Sequence, residues 1–114
     1  MTMKKYNDLF VYLQLLLIIQ KNKMDVKENT TKSSGHSIEW GGATWNNREK
    51  SIRNRYDNVS TGKFNKSGSG EIPWEDFKLM IKESISRGQL NNAELGEILD
   101  DISTKLKTLW LKTH

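Results

Sequence analysis

The 114-residue chain contains no cysteine, which removes disulfide scaffolds, thiolate-ligated zinc, iron–sulfur clusters and cysteine nucleophiles together. Histidine is nearly as scarce. His36 and His114 are the two present, too few for a multi-histidine metal centre within one chain. No metal or other cofactor is therefore expected, and no catalytic residues are assigned. One proline, 35% hydrophobic and 28% charged residues allow a single domain of modest core.

Long apolar runs are also lacking, with one exception: Leu9–Ile19, eleven residues in which Gln14 is the strongly polar member. A membrane-spanning helix needs about 20 such residues, so no stable span is expected and the location is read as cytoplasmic. Lysines precede the run as in a signal peptide, but Gln20-Lys-Asn-Lys-Met24 follows it, with no small-x-small cleavage site. The run is read as a buried or partner-docking helix, or as sequence upstream of a native start at Met24.

What is present is positive charge, unevenly placed. The formal net charge is +4. It gathers before Glu71, and the stretch from Glu71 onward carries more acids than bases. A basic middle favours phosphates or an acidic protein surface, while the acidic end would repel a polyanion lying along it.

From Met24 to Gly35 there is one aliphatic residue, Val26, and no periodicity, which predicts a flexible linker. Residues 1–35 are thus placed outside the main core, and residues 36–114 form the domain. Ser37-Ile-Glu-Trp40 alternates polar with apolar and suggests a short extended segment closed by Gly41-Gly42 as a turn or hinge. A helix is expected from Trp45 to about Asp57, N-capped by Thr44, because Trp45, Ile52 and Tyr56 share one face at helical spacing. Asn58 to Gly70 is rich in turn formers and reads as a loop or loose hairpin.

The last third is the most legible. Pro73 suits a first helical position, and Trp74, Phe77, Met80, Ile81 and Ile85 recur at helical spacing until Arg87-Gly88. Asn91 and Glu94 then form a capping box, with Leu90 and Leu95 placed as a hydrophobic staple. Leu95, Ile98, Leu99, Ile102, Leu106 and Leu109 continue as a second apolar stripe. The expected fold is mainly α: a small three-helix domain with a C-terminal antiparallel helical hairpin, a short extended segment and a flexible N-terminal extension.

Two motifs bear on chemistry. Asn65-Lys-Ser67-Gly-Ser69-Gly70-Glu71-Ile72-Pro-Trp-Glu-Asp76, followed by Phe77, resembles the calcium-binding loop of an EF-hand, with oxygen donors at positions one, three and five, glycine at six and an acid at twelve. The first three donors are neutral and the last is the short Asp76, so the segment is expected to be a glycine-rich loop leading into a capped helix, without a metal. Ala93-Glu-Leu-Gly-Glu-Ile-Leu99 with Ile102–Leu106 resembles a helix-turn-helix. Asp100-Asp101 stands where phosphates would pass, and one uninterrupted helix explains the same spacing.

The remaining constellation is compositional. Arg48, Lys50, Arg53, Arg55, Lys63 and Lys66 interleave with Trp40, Trp45, Tyr56 and Phe64, and this mixture suits phosphate pairing and base stacking. The candidate binding residues are Arg48, Lys50, Arg53, Arg55, Lys63, Lys66, Trp40 and Tyr56. The expectation is a non-catalytic module whose basic central helix and loop engage nucleic acid or a nucleoprotein. The alternative is an inhibitor or adaptor presenting the same arginines and aromatics to an acidic protein partner. A third reading, a metal-free ribonuclease, would rest on His36, Glu39, Arg48, Arg53 and Tyr56.

Overall fold

A computed structural model describes residues 7–15 and 23–113. Residues 7–15 are helical (α1), with Leu9, Phe10, Val11, Tyr12, Leu13 and Leu15 exposed. The rest of the apolar run, the readings made on it and His114 lie outside the described residues. Then come β1 (Asp25–Ser33), β2 (His36–Gly42), β3 (Lys50–Tyr56), β4 (Gly70–Pro73), α2 (Trp74–Ser86) and α3 (Asn92–Thr113). No helix among the described residues is long and apolar enough to cross a membrane.

The expected mainly helical, three-helix domain is overturned by a four-stranded antiparallel sheet in the order β1-β2-β3-β4. The central basic helix is β3. Ile52 and Tyr56 are four residues apart, a spacing that serves one face of a helix and one face of a strand equally, and seven residues are too few to separate the two periods. Trp45, which completed the helical stripe, sits instead in the β2–β3 connection. That loop is closed by hydrogen bonds from Ala43 N to Glu49 O and from Glu49 N to Asn46 O.

The expected linker is β1, paired with β2 from Asp25↔Gly42 to Ser33↔His36 with two register irregularities. Most of its residues are exposed on both faces, so it needs little apolar sequence. Its β-branched Val26, Thr30 and Thr31 suit a strand, and Lys27 and Lys32 protect an edge. Ser34-Gly35 makes the two-residue turn into β2, with Gly35 at φ 74°, a conformation open to glycine at little cost. Gly41 is neither turn nor hinge. A Cβ there would overlap the Asp25 carbonyl of β1, so glycine marks a close strand approach.

β2 and β3 pair in continuous register, His36↔Tyr56 through Trp40↔Ile52 to Gly42↔Lys50, and β4 adds Ile52↔Ile72 and Arg53↔Glu71. Alternation then sorts the side chains. Ile38, Trp40, Ile52 and Ile72 share one face, while Glu39, Arg53, Arg55 and Glu71 share the other. The buried apolar residues among those described are Met24, Ala43 and Ile52, and the buried polar ones are Glu39 and Ser51.

Contacts divide the chain into two units, residues 1–77 and 78–114. In the second, the ends of the helices follow the sequence closely. Gly88, at φ 69°, closes α2 with bonds from Gln89 N to Ser84 O and from Gly88 N to Ile85 O, the paired pattern of a Schellman stop. Asn91 Oδ1 accepts from Glu94 N at 2.8 Å, and Glu94 Oε1 accepts from Asn91 N at 3.0 Å. The expected helical hairpin does not form, because no packing interface joins α2 to α3. The two caps fix the chain between Arg87 and Asn91 without bringing the apolar stripes together, and neither helix buries a residue.

Candidate interaction surfaces

The polar face of the sheet is organised around Glu39. Its odd separation from Trp40 turns it away from the apolar face, and Arg53 and Arg55, two apart on β3, arrive on the same side. Glu39 Oε1 accepts from Arg53 Nε at 2.8 Å and lies 2.7 Å from Nη2, while Oε2 pairs with Arg55 Nη1 at 3.3 Å. The Arg53 and Glu39 side chains are 12% and 5% exposed. Arg55 also donates from Nε to Asp57 Oδ1 at 2.9 Å. That bond to Asp57 raises the Arg55 pKa most, partial burial opposes it, and the charge of Glu39 adds to the rise.

Phe64 completes the cluster. An isolated bridge, Asp57↔Phe64, folds the β3–β4 connection back on itself, and the ring meets both guanidinium groups, 4.6 Å from Arg53 and 4.7 Å from Arg55. Cation–π contact here adds to two ion pairs that already occupy the same cations. A depression of about 530 Å³ beside them is lined by Met24, Val26, Thr44, Phe64, Lys23 and Lys66 as well as the two arginines.

On the opposite side an open groove of about 560 Å³ is bordered by Trp40, Trp74, Arg48, Lys50, Glu28 and Glu49 among others. The β2–β3 connection at its edge is tied down by Thr44, whose N and Oγ1 donate to the Glu71 carboxylate at 2.9 and 2.5 Å. Trp45 Nε1 donates to Glu49 Oε2 at 2.6 Å.

The eight candidate binding residues are thus not one surface. Trp40, Arg48 and Lys50 border the groove, and Arg53, Arg55 and Lys66 line the depression. Tyr56 stacks on His36 with ring centroids 4.2 Å apart, and Lys63 is exposed on the β3–β4 connection. The residues of the ribonuclease reading are divided as well. His36 and Tyr56 lie on the face opposite Glu39 and Arg53, and His36 Nε2 meets Asn54 Oδ1 at 2.5 Å.

The two motifs resolve into ordinary structure. Asn65 Oδ1 accepts from Gly68 N at 3.0 Å and Ser67 Oγ at 3.1 Å. Residues 70–73 of the calcium-like segment are β4, and Asp76, its twelfth position, lies in the first turn of α2. No group of three or more acidic, histidine or cysteine side chains placed to hold a metal occurs among the described residues. The helix-turn-helix segment is one continuous helix, α3.

Two features escaped the sequence. Glu39 as a clamp depends on β3 being a strand, since Arg53 and Arg55 share a face at a spacing of two and not on a helix. The other is the exposure of the helical stripes: Met80, Ile81 and Ile85 in α2, and Leu99, Ile102, Leu106 and Leu109 in α3. Their periodicity was plain, but periodicity marks an apolar face without naming what covers it. Compared with protein-family models, characterised proteins and solved structures, the chain matches none.

Proposed function

We propose that the protein is a non-catalytic protein-interaction module that docks through the apolar faces of its C-terminal helices. The observation that carries this reading is the exposure of the α3 stripe: Leu99, Ile102, Leu106 and Leu109 are 67%, 52%, 61% and 47% exposed. Exposed apolar surface of this kind marks an interaction site. Helical stability in proteins also comes mainly from packing an amphipathic face. The cations support the same choice. Arg53 and Arg55 are matched by Glu39 and Asp57, and a phosphate would have to compete with carboxylates already in place. Arg48, Lys50, Lys63 and Lys66, which are exposed, add attraction toward an acidic protein surface.

Site-specific photocrosslinking in cells tests this. A photoreactive residue in place of Ile102 is expected to capture protein, and one in place of Lys63 is expected to give no nucleic-acid adduct. Oligonucleotide adducts at Lys63 with none of any kind at Ile102 would instead support nucleic-acid binding. Anisotropy with a labelled oligonucleotide supplies a second arm: phosphate binding would weaken steeply as salt rises, whereas this reading expects no binding at moderate ionic strength.

A further inference from the structure

We propose that α1 is a membrane-docking helix, seated just below the headgroups of a bilayer that bears anionic lipids. Leu9, Phe10, Val11 and Tyr12 are consecutive and turn once around a helix, so this part of α1 is apolar on every side and not along one stripe. Each of them is at least 50% exposed, as are Leu13 and Leu15. An amphipathic helix such as α3 can dock by one face and leave the other in water. From Leu9 to Leu13, α1 has no polar face to leave there, and a helix apolar all round belongs inside a large core or in lipid.

Three settings suit an apolar run of about 10–14 residues: a protein core, a secretory signal and the membrane interface. This chain does not supply the first, because every described residue of α1 is exposed. The second needs small residues for cleavage, and Gln20-Lys-Asn-Lys-Met24 offers none. The third fits both length and flanks. At about 1.5 Å per residue, a helix as long as the Leu9–Ile19 run measures about 16 Å, roughly half of a 30 Å hydrocarbon core. Such a helix enters a bilayer without crossing it.

Charge selects the surface. Lys4 and Lys5 precede the run and Lys21 and Lys23 follow it, against Asp8 as the one acid before Met24. Lysine stems can lie along acyl chains while the ammonium groups stay among lipid phosphates. Cations at both ends, drawn to one leaflet, lay the helix along the surface instead of sending it in end-on. A protein partner would have to enclose α1 on all sides and also place acids at both ends. An anionic bilayer does both at once.

Flotation of the full chain with vesicles of phosphatidylcholine and phosphatidylglycerol in equal amounts tests this. The chain is expected to float with them, and several-fold less with phosphatidylcholine alone. Phe10→Glu/Leu13→Glu is expected to lower the partition constant by at least about tenfold. Because α1 buries no described residue, the sheet of that variant should unfold in urea as before, which separates lost docking from a lost fold. Lys4→Glu/Lys5→Glu is expected to weaken binding to the mixed vesicles several-fold and to leave binding to phosphatidylcholine unchanged. Leu99→Glu/Leu106→Glu, in α3, is expected to leave flotation unchanged. A chain that stays in the aqueous phase overturns the proposal, as does flotation lost with the α3 variant and kept with the α1 variant. A photoreactive residue in place of Val11 is expected to label lipid in cells. Capture of protein there, with no lipid, would put α1 in a partner's core and contradict the assignment.

Discussion

In β3, Arg53 and Arg55 end on carboxylates of their own unit, whereas in α3, Leu99 and Leu106 end in solvent. The sheet is chemically closed: Glu39 holds two guanidinium groups, Asp57 takes the second from its other side, Phe64 covers both, and Glu71 pins the neighbouring loop through Thr44. The helices are closed only at their ends, where a Schellman stop and a capping box satisfy the backbone. The contrast teaches that a basic composition need not mean a basic binding face. Cations placed two apart on a strand meet an acid on the next strand, while apolar residues on an unpacked helix remain available.

The largest expected effect comes from opening the closed region. Glu39→Ala leaves Arg53 without its carboxylate in a nearly buried position and should cost about 3 kcal/mol of sheet stability, the scale of breaking one partner of a buried pair. Urea unfolding followed by tryptophan fluorescence reads it, and a loss of a few tenths would mean that the arginines are freely solvated after all. Ile52→Ala removes the middle of the Trp40–Ile52–Ile72 row and should cost about 2 kcal/mol by the same assay.

Smaller effects should fall on the helices alone. Asn91→Ala deletes half of the capping box and should cost about 1 kcal/mol, seen as lost helical ellipticity with the sheet transition unmoved. Gly88→Ala forces a side chain into the left-handed region at the end of α2 and should cost about 1 kcal/mol in the same way. Val59→Ser, at a position 94% exposed in the β3–β4 connection, should shift nothing beyond about 0.5 kcal/mol. A sizeable effect there would place an unrecognised contact on that loop.

The helices were legible in the sequence because their signals are local. Pro73, Gly88, Asn91 and Glu94 each act within a few residues, and the structure uses all four at or beside the expected helix ends. The strands were less so because their reasons are distant. β1 holds its place through backbone pairing with β2 and displays polar side chains to both sides, so it lacks the alternation that would reveal it. β3 hid behind the shared spacing of Ile52 and Tyr56. On a helix Arg53 and Arg55 would point apart, whereas the strand turns both to Glu39, fourteen and sixteen residues upstream. The stripe of α3 was legible as a face and silent about its occupant.

Hydrogen exchange of the full chain, resolved by residue and repeated over a range of protein concentrations, tests this division most directly. Amides of β2 and β3 should keep the same protection at every concentration, since everything that holds them lies within one chain. Amides of α3 should exchange faster than those of β2 and β3 at every concentration, because nothing within its own chain covers its apolar stripe. Protection of α3 equal to that of the sheet, or protection of β3 that follows concentration, would contradict the account.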